Sequence, residues 1–219
     1  PENGFGETPL KKYRRHIFLL HPNKVVIYDE LEANEKVRWD WLLHSPVKFD
    51  INPAASILTT VNKEKGFSSV VQLFCEQEAA ITQTDKYAAP PNHADAQRGE
   101  DFTDPWSLTA SFGPSRNNRI LTIIQVEADG RQAVQIMREG NTFRCGEWVI
   151  EAELNAKRPG RLYIRNSRNN AVFSYGDKKP EINGELYSCK EKDASVLFDC
   201  VNGEWTVQEM GDQRVQTMG

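Results

Sequence analysis

The strongest constraint in this chain is a pair of short apolar runs, residues 17–20 and 25–28, separated only by His21, Pro22, Asn23 and Lys24. Each run is too short for a helix and is rich in β-branched, aromatic or leucine side chains, which suits a strand. Proline fixes its own backbone and asparagine tolerates left-handed geometry, so the break reads as a tight turn. A third run, residues 37–44, alternates. Val37, Trp39, Trp41 and Leu43 fall on one face, with Arg38, Asp40, Leu42 and His44 on the other. The stretch reads as a three-stranded meander with one strongly apolar face, and the simplest role for Trp39 and Trp41 is core packing.

The same grammar continues. Strands are expected at residues 57–61 and 67–76 across a turn ending in Gly66, and a short one at 81–84. Residues 106–112 and 119–127 look like an antiparallel pair across Gly113-Pro114-Ser115-Arg116-Asn117-Asn118. After Gly130 come further short strand candidates punctuated by Pro159-Gly160, Asn183-Gly184 and Asn202-Gly203, and Asn-Gly is a strong hairpin signal. No segment carries a convincing helical period. The expected fold is therefore all-β, an antiparallel β-sandwich in one domain, with Gly130 a boundary that no linker composition marks. Residues 85–105 form the longest stretch without strand periodicity and are expected to be an exposed loop.

Composition excludes several classes. At 219 residues with 26% charged side chains and a net charge of -4, the chain lacks the basic footprint of a nucleic-acid binder. No apolar run approaches the ~20 residues of a membrane span. The opening Pro-Glu-Asn-Gly-Phe-Gly has neither a basic start nor an apolar stretch, so no signal peptide is expected within it, and a first residue other than Met suggests an excised or processed chain. The four cysteines at 75, 145, 189 and 200 include no Cys-x-x-Cys pair. Cys75 and Cys145 read as small core residues. Cys189 and Cys200 bracket a plausible hairpin that a disulfide would close only if the geometry allows it.

Residues 14–31, Arg-Arg-His-Ile-Phe-Leu-Leu-His-Pro-Asn-Lys-Val-Val-Ile-Tyr-Asp-Glu-Leu, followed by Trp-Leu-Leu-His at 41–44, resemble the C-terminal β-rich region of heparinase II/III-type polysaccharide lyases. The likeness is good over residues 13–45, looser over 90–126, and fades after about Gly130. It implies an α/α-toroid ahead of a β-sandwich, with an acidic polysaccharide held between them. It also implies export to the periplasm or outside the cell. Lyase chemistry on a uronate needs a group to neutralise the carboxylate, a base for the adjacent carbon's proton and an acid for the leaving oxygen. In that family these come from the toroid and from a His-Asn-His-x-Asp motif, which supplies a metal-binding His in some members. All of them would lie ahead of Pro1. The expectation is a non-catalytic β-sandwich portion that supports and lines the cleft, holds no cofactor itself and is inactive alone. The alternative is a free-standing carbohydrate-binding module.

Within the chain, Asn92-His93-Ala94-Asp95 mimics the tail of that motif, but Pro91 stands where its leading His would be. His93 is kept as a substrate-binding candidate and no residue is assigned to catalysis. His16 and His44 border apolar strands, with Asp29 and Asp40 as conceivable partners, although a structural pair is the simpler reading. Trp106 offers a flat ring beside the long loop. Arg161, Tyr163 and Arg165 alternate onto one strand face, with Arg158 and Arg168 at its ends. Arginine's planar fork suits carboxylate and sulfate oxygens, whereas a solvated face with nearby counter-charges is the plainer account.

Overall fold

Strand is the dominant structure and the fold class is all-β, antiparallel and sandwich-like; one turn of 3-10 helix, Pro53–Ala55, interrupts it. The computed structural model describes residues 8–86, 105–128, 131–166, 171–177, 179–182, 185–189, 194–201 and 204–210. The chain divides into two compact units, Pro1–Ala133 and Val134–Gly219.

The first unit holds β1 (Leu10–Leu20), β2 (Lys24–Ser45), β3 (Asp50–Asn52), β4 (Ile57–Asn62), β5 (Phe67–Phe74), β6 (Ala80–Thr84) and β7 (Trp106–Ala128). They form one antiparallel sheet in the order β1-β2-β7-β5-β4-β3, with β6 also on β7. The two apolar runs around His21 do pair, Ile17 opposite Ile27 and Phe18 opposite Val26. The expected third strand of the meander, however, is not separate. Residues 25–28 and 37–44 belong to the single 22-residue strand β2. Likewise residues 106–112 and 119–127 are one strand, β7, and not a hairpin.

What looked like turn chemistry is a bend. The ladder between β2 and β7 shifts register between Glu32 and Trp39, opposite Gly113 to Asn117. Gly113 sits at φ 101°, and a Cβ there would meet Ser115 N at 2.9 Å and Val37 O at 3.0 Å. Only glycine fits that crossing without moving backbone. Irregularities of this kind re-aim a strand while leaving pairing intact on either side. Beyond the bend, Trp39 pairs with Phe112, Trp41 with Ala110 and Leu43 with Leu108, so their side chains share a face. That face joins Leu31, Leu58, Val71, Leu73 and Ile120 from before the bend in one core. The sheet thus packs on itself, two layers sharing β2 and β7. Trp41 is buried within it and Leu42 faces outward, as the alternation requires. Phe49 closes the core, held by Gln83, whose side-chain amide bonds both its N–H and its C=O (3.1 and 2.9 Å).

The second unit is a meander: β8 (Met137–Glu139), β9 (Thr142–Cys145), β10 (Trp148–Ala152), β11 (Leu162–Asn166), β12 (Ala171–Tyr175), β15 (Ser195–Val201) and β16 (Glu204–Met210) pair in that order. A small hairpin, β13 (Glu181–Ile182) with β14 (Glu185–Leu186), lies between β12 and β15 in sequence. Phe143, Cys145, Trp148, Ile150, Leu162, Ile164, Phe173 and Tyr175 are buried on one face. On the other, Val172, Val196 and Phe198 form a smaller cluster with Tyr163, Tyr187 and Cys189. Cys145 is a core residue and Cys75 partly so, as expected, while Cys189 and Cys200 are free thiols.

Candidate functional site

The residues of the resembling stretch converge on the β1–β2 hairpin. Arg15 lies opposite Asp29, and its guanidinium donates two hydrogen bonds to that carboxylate, at 2.6 and 2.9 Å. Asp29 is buried. Burial pushes its carboxyl up, and Arg15 draws it back only partway. Arg15 in turn lies 5.6 Å from the Tyr13 ring centre. On the other face, Glu30 is fully buried between Lys12 and Arg119, with Arg119 Nε at 3.5 Å and Arg119 also 3.9 Å from Glu32. Arg119 is 3% exposed and donates to the carbonyl of Asn118 at 3.1 Å. At the hairpin tip Asn23 donates to Glu127 at 2.5 Å and accepts from Lys24 at 2.9 Å.

The conceivable His–Asp pairs do not form. Asp29 is taken by Arg15, while Asp40 is taken by Arg38 (2.9 Å) and by the Ser111 hydroxyl (2.6 Å), contacts that hold its carboxyl below the usual range. Cross-strand register explains this, because His16 faces Tyr28 and His44 faces Ser107. His16 stacks near Phe18 and Tyr28. Its pKa falls to about 4, first through burial and then through the cations Arg14 and Lys12, so the ring is neutral at neutral pH.

The arginine-rich strand behaves differently. Arg161, Tyr163 and Arg165 do share a face of β11, but the structure separates their roles. Arg161 lies between Glu151 (3.6 Å) and Asp177 (3.7 Å), and Arg158 lies beside Glu153 (3.5 Å). Both therefore have charge partners on a solvated face. Gly176, at φ 82° and pressed against the Gly160 carbonyl, brings Asp177 to that position. Tyr163 donates to the Glu181 carbonyl at 3.4 Å, and burial raises its phenol pKa. Arg165 is exposed and has no ion-pair partner among the described residues. A residue missed in the sequence joins it. Arg144 on β9 and Arg165 on β11 both pair with Val149 of β10, so the three stand in one row across the same face. Arg144 is likewise exposed. The findable signal was the two-residue Gly146-Glu147 loop, which fixes the β9–β10 register.

Trp106 opens β7 in the first unit. It is half-buried against the core and carries the Lys48 ammonium 5.1 Å from its ring centre, so it is less open than expected for a sugar platform. His93, Asp95, Arg168 and nearly all of the 85–105 stretch lie outside the described residues. Among the described residues no three His, Cys, Asp or Glu side chains are grouped to hold a metal ion, and no helix is long and apolar enough to cross a membrane. No protein-family model matches the sequence, and no curated protein matches it at a significant level.

Proposed function

We propose that this chain is the β-sheet portion of a heparinase II/III-like polysaccharide lyase, non-catalytic on its own, supporting and lining the cleft for a uronic-acid polysaccharide. The observation that carries this reading is the use made of the resembling stretch. Its carboxylates are engaged by cations, Asp29 by Arg15 of the same stretch and Glu30 by Lys12 and Arg119 from outside it. Groups so engaged hold a hairpin in place and are poor proton carriers. In this reading the acid, the base and the carboxylate neutraliser come from an α/α-toroid elsewhere in a longer, exported protein, together with any metal ligands.

A second reading, a free-standing carbohydrate-binding module, is favoured by the exposed row of Arg144 and Arg165 in the second unit. Ultraviolet absorbance of unsaturated uronate separates the two. The chain alone should give no turnover on heparan sulfate or alginate, with or without divalent metal. The longer protein containing it should turn one of them over under the first reading and neither under the second. Turnover by the chain alone would overturn both.

A further inference from the structure

The arginines of the second unit divide into two kinds, and the division points to one surface. Arg158 and Arg161 each have a carboxylate within 4 Å, whereas Arg144 and Arg165 have none among the described residues. These last two stand on next-but-one strands, about 10 Å apart at the usual strand spacing. Val149 lies between them and Met137, 60% exposed, continues the row to the sheet edge. Beyond Arg165 the row continues into buried Val172 of β12, and Tyr163, two residues along β11, flanks it with its ring packed against the Val172, Val196 and Phe198 cluster. The adjacent row, Glu139, Thr142, Glu151 and Tyr163, carries two carboxylates, of which Glu151 is occupied by Arg161 and Glu139 is exposed at the sheet edge. The result is a shallow strip with two cationic forks, an apolar floor between them and a phenol ring at its side.

We infer that this strip of β8 to β11 binds an extended acidic polysaccharide, with Arg144 and Arg165 each taking a carboxylate or sulfate group and the Val149 floor meeting an apolar sugar face. The inference names a ligand surface that either reading of the function would use and rests on them for its ligand class. Two separated charges suit a polymer with anions at regular intervals better than a single small anion, which would engage one fork at a time. Arginine is also better matched to these flat oxyanions than lysine, because its donors are fixed in one plane.

The test is calorimetric titration of the full chain with size-defined heparin and polyguluronate oligosaccharides at low salt, with poly-L-glutamate of matched charge as a third probe. The double variant Arg144→Ala/Arg165→Ala should bind the oligosaccharides about three- to tenfold more weakly, the range expected for two exposed ionic contacts. Its dependence on salt should be shallower. Arg165→Lys should recover only part of the loss, and Arg158→Ala should change nothing. Thermal melts of each variant check that folding is intact. Unchanged affinity in the double variant would overturn the strip while leaving the lyase reading in place, since that reading is judged by turnover of the longer protein. Equal affinity for poly-L-glutamate would overturn the polysaccharide assignment in favour of simple charge attraction. No binding by the unmodified chain to any of the three would overturn the strip outright.

Discussion

The β1–β2 hairpin of the first unit and the β9–β11 strip of the second both carry arginine on strands, yet they use it in opposite ways. Against the hairpin, Arg119 of β7 is 3% exposed beside a fully buried Glu30, and within it Arg15 is locked bidentately to Asp29. In the strip, Arg144 and Arg165 stand in solvent and Arg161 makes only long, exposed contacts. Burial decides the difference. A charge removed from water must be matched by another, so buried arginine is committed to the fold. An exposed one is screened and interchangeable for stability, which leaves it free for a ligand.

The largest expected effect tests the buried side. Arg119→Met removes a cation from Glu30 and should destabilise the chain by about 3–5 kcal/mol, the usual cost of breaking a buried pair on one side. Urea unfolding followed by tryptophan fluorescence measures it. A loss below about 1 kcal/mol would put Arg119 in the same class as the exposed arginines.

Next comes pH. His16 has a folded pKa of about 4 against an ordinary value of 6.5, so the unfolded chain takes its proton first as pH falls. Stability should be lost as pH drops from 6.5 towards 4, by on the order of 2 kcal/mol once partial exposure is allowed for. Asp29 runs the other way. Its raised carboxyl protonates more readily folded than unfolded, which offsets part of the loss at the acid end. Urea midpoints at pH 7 and pH 4.5 should therefore differ, and His16→Gln should shrink the gap. An equal gap in that variant would assign the acid sensitivity to another group.

Smaller still is Arg161→Ala, which removes two exposed ion pairs and should cost no more than about 1 kcal/mol. Smallest is Arg165→Ala, expected within about 0.5 kcal/mol of the unmodified chain. A clear loss of stability there would mean that this arginine serves the fold as the hairpin arginines do.

Much of this was legible in the alternation of single strands. The face shared by Trp39, Trp41 and Leu43, the pairing of residues 17–20 with 25–28, and the absence of long helices among the described residues all follow from a period of two. The misreadings share one cause. Gly113-Pro114 followed by Ser, Arg, Asn and Asn is the vocabulary of a turn, and the same residue types also serve a bend within a continuing strand. Which of the two occurs depends on whether β2 bends at the same level, a fact about pairing and not about either segment. Arg144 escaped notice for a related reason. Its neighbour in the row, Arg165, is two strands away, and the second step of that register crosses residues 153–161, whose length the sequence does not convert into a pairing.

β2 and β7 run through both layers of the first unit, and the irregular step opposite Gly113 gives each layer a register of its own. A slip of one residue between Trp41 and Ala110 would invert the alternation beyond that step. It would turn Trp39, Trp41 and Leu43 outward and bring Arg38, Asp40 and Leu42 into the core. The bend at Gly113 is the point from which both halves are counted.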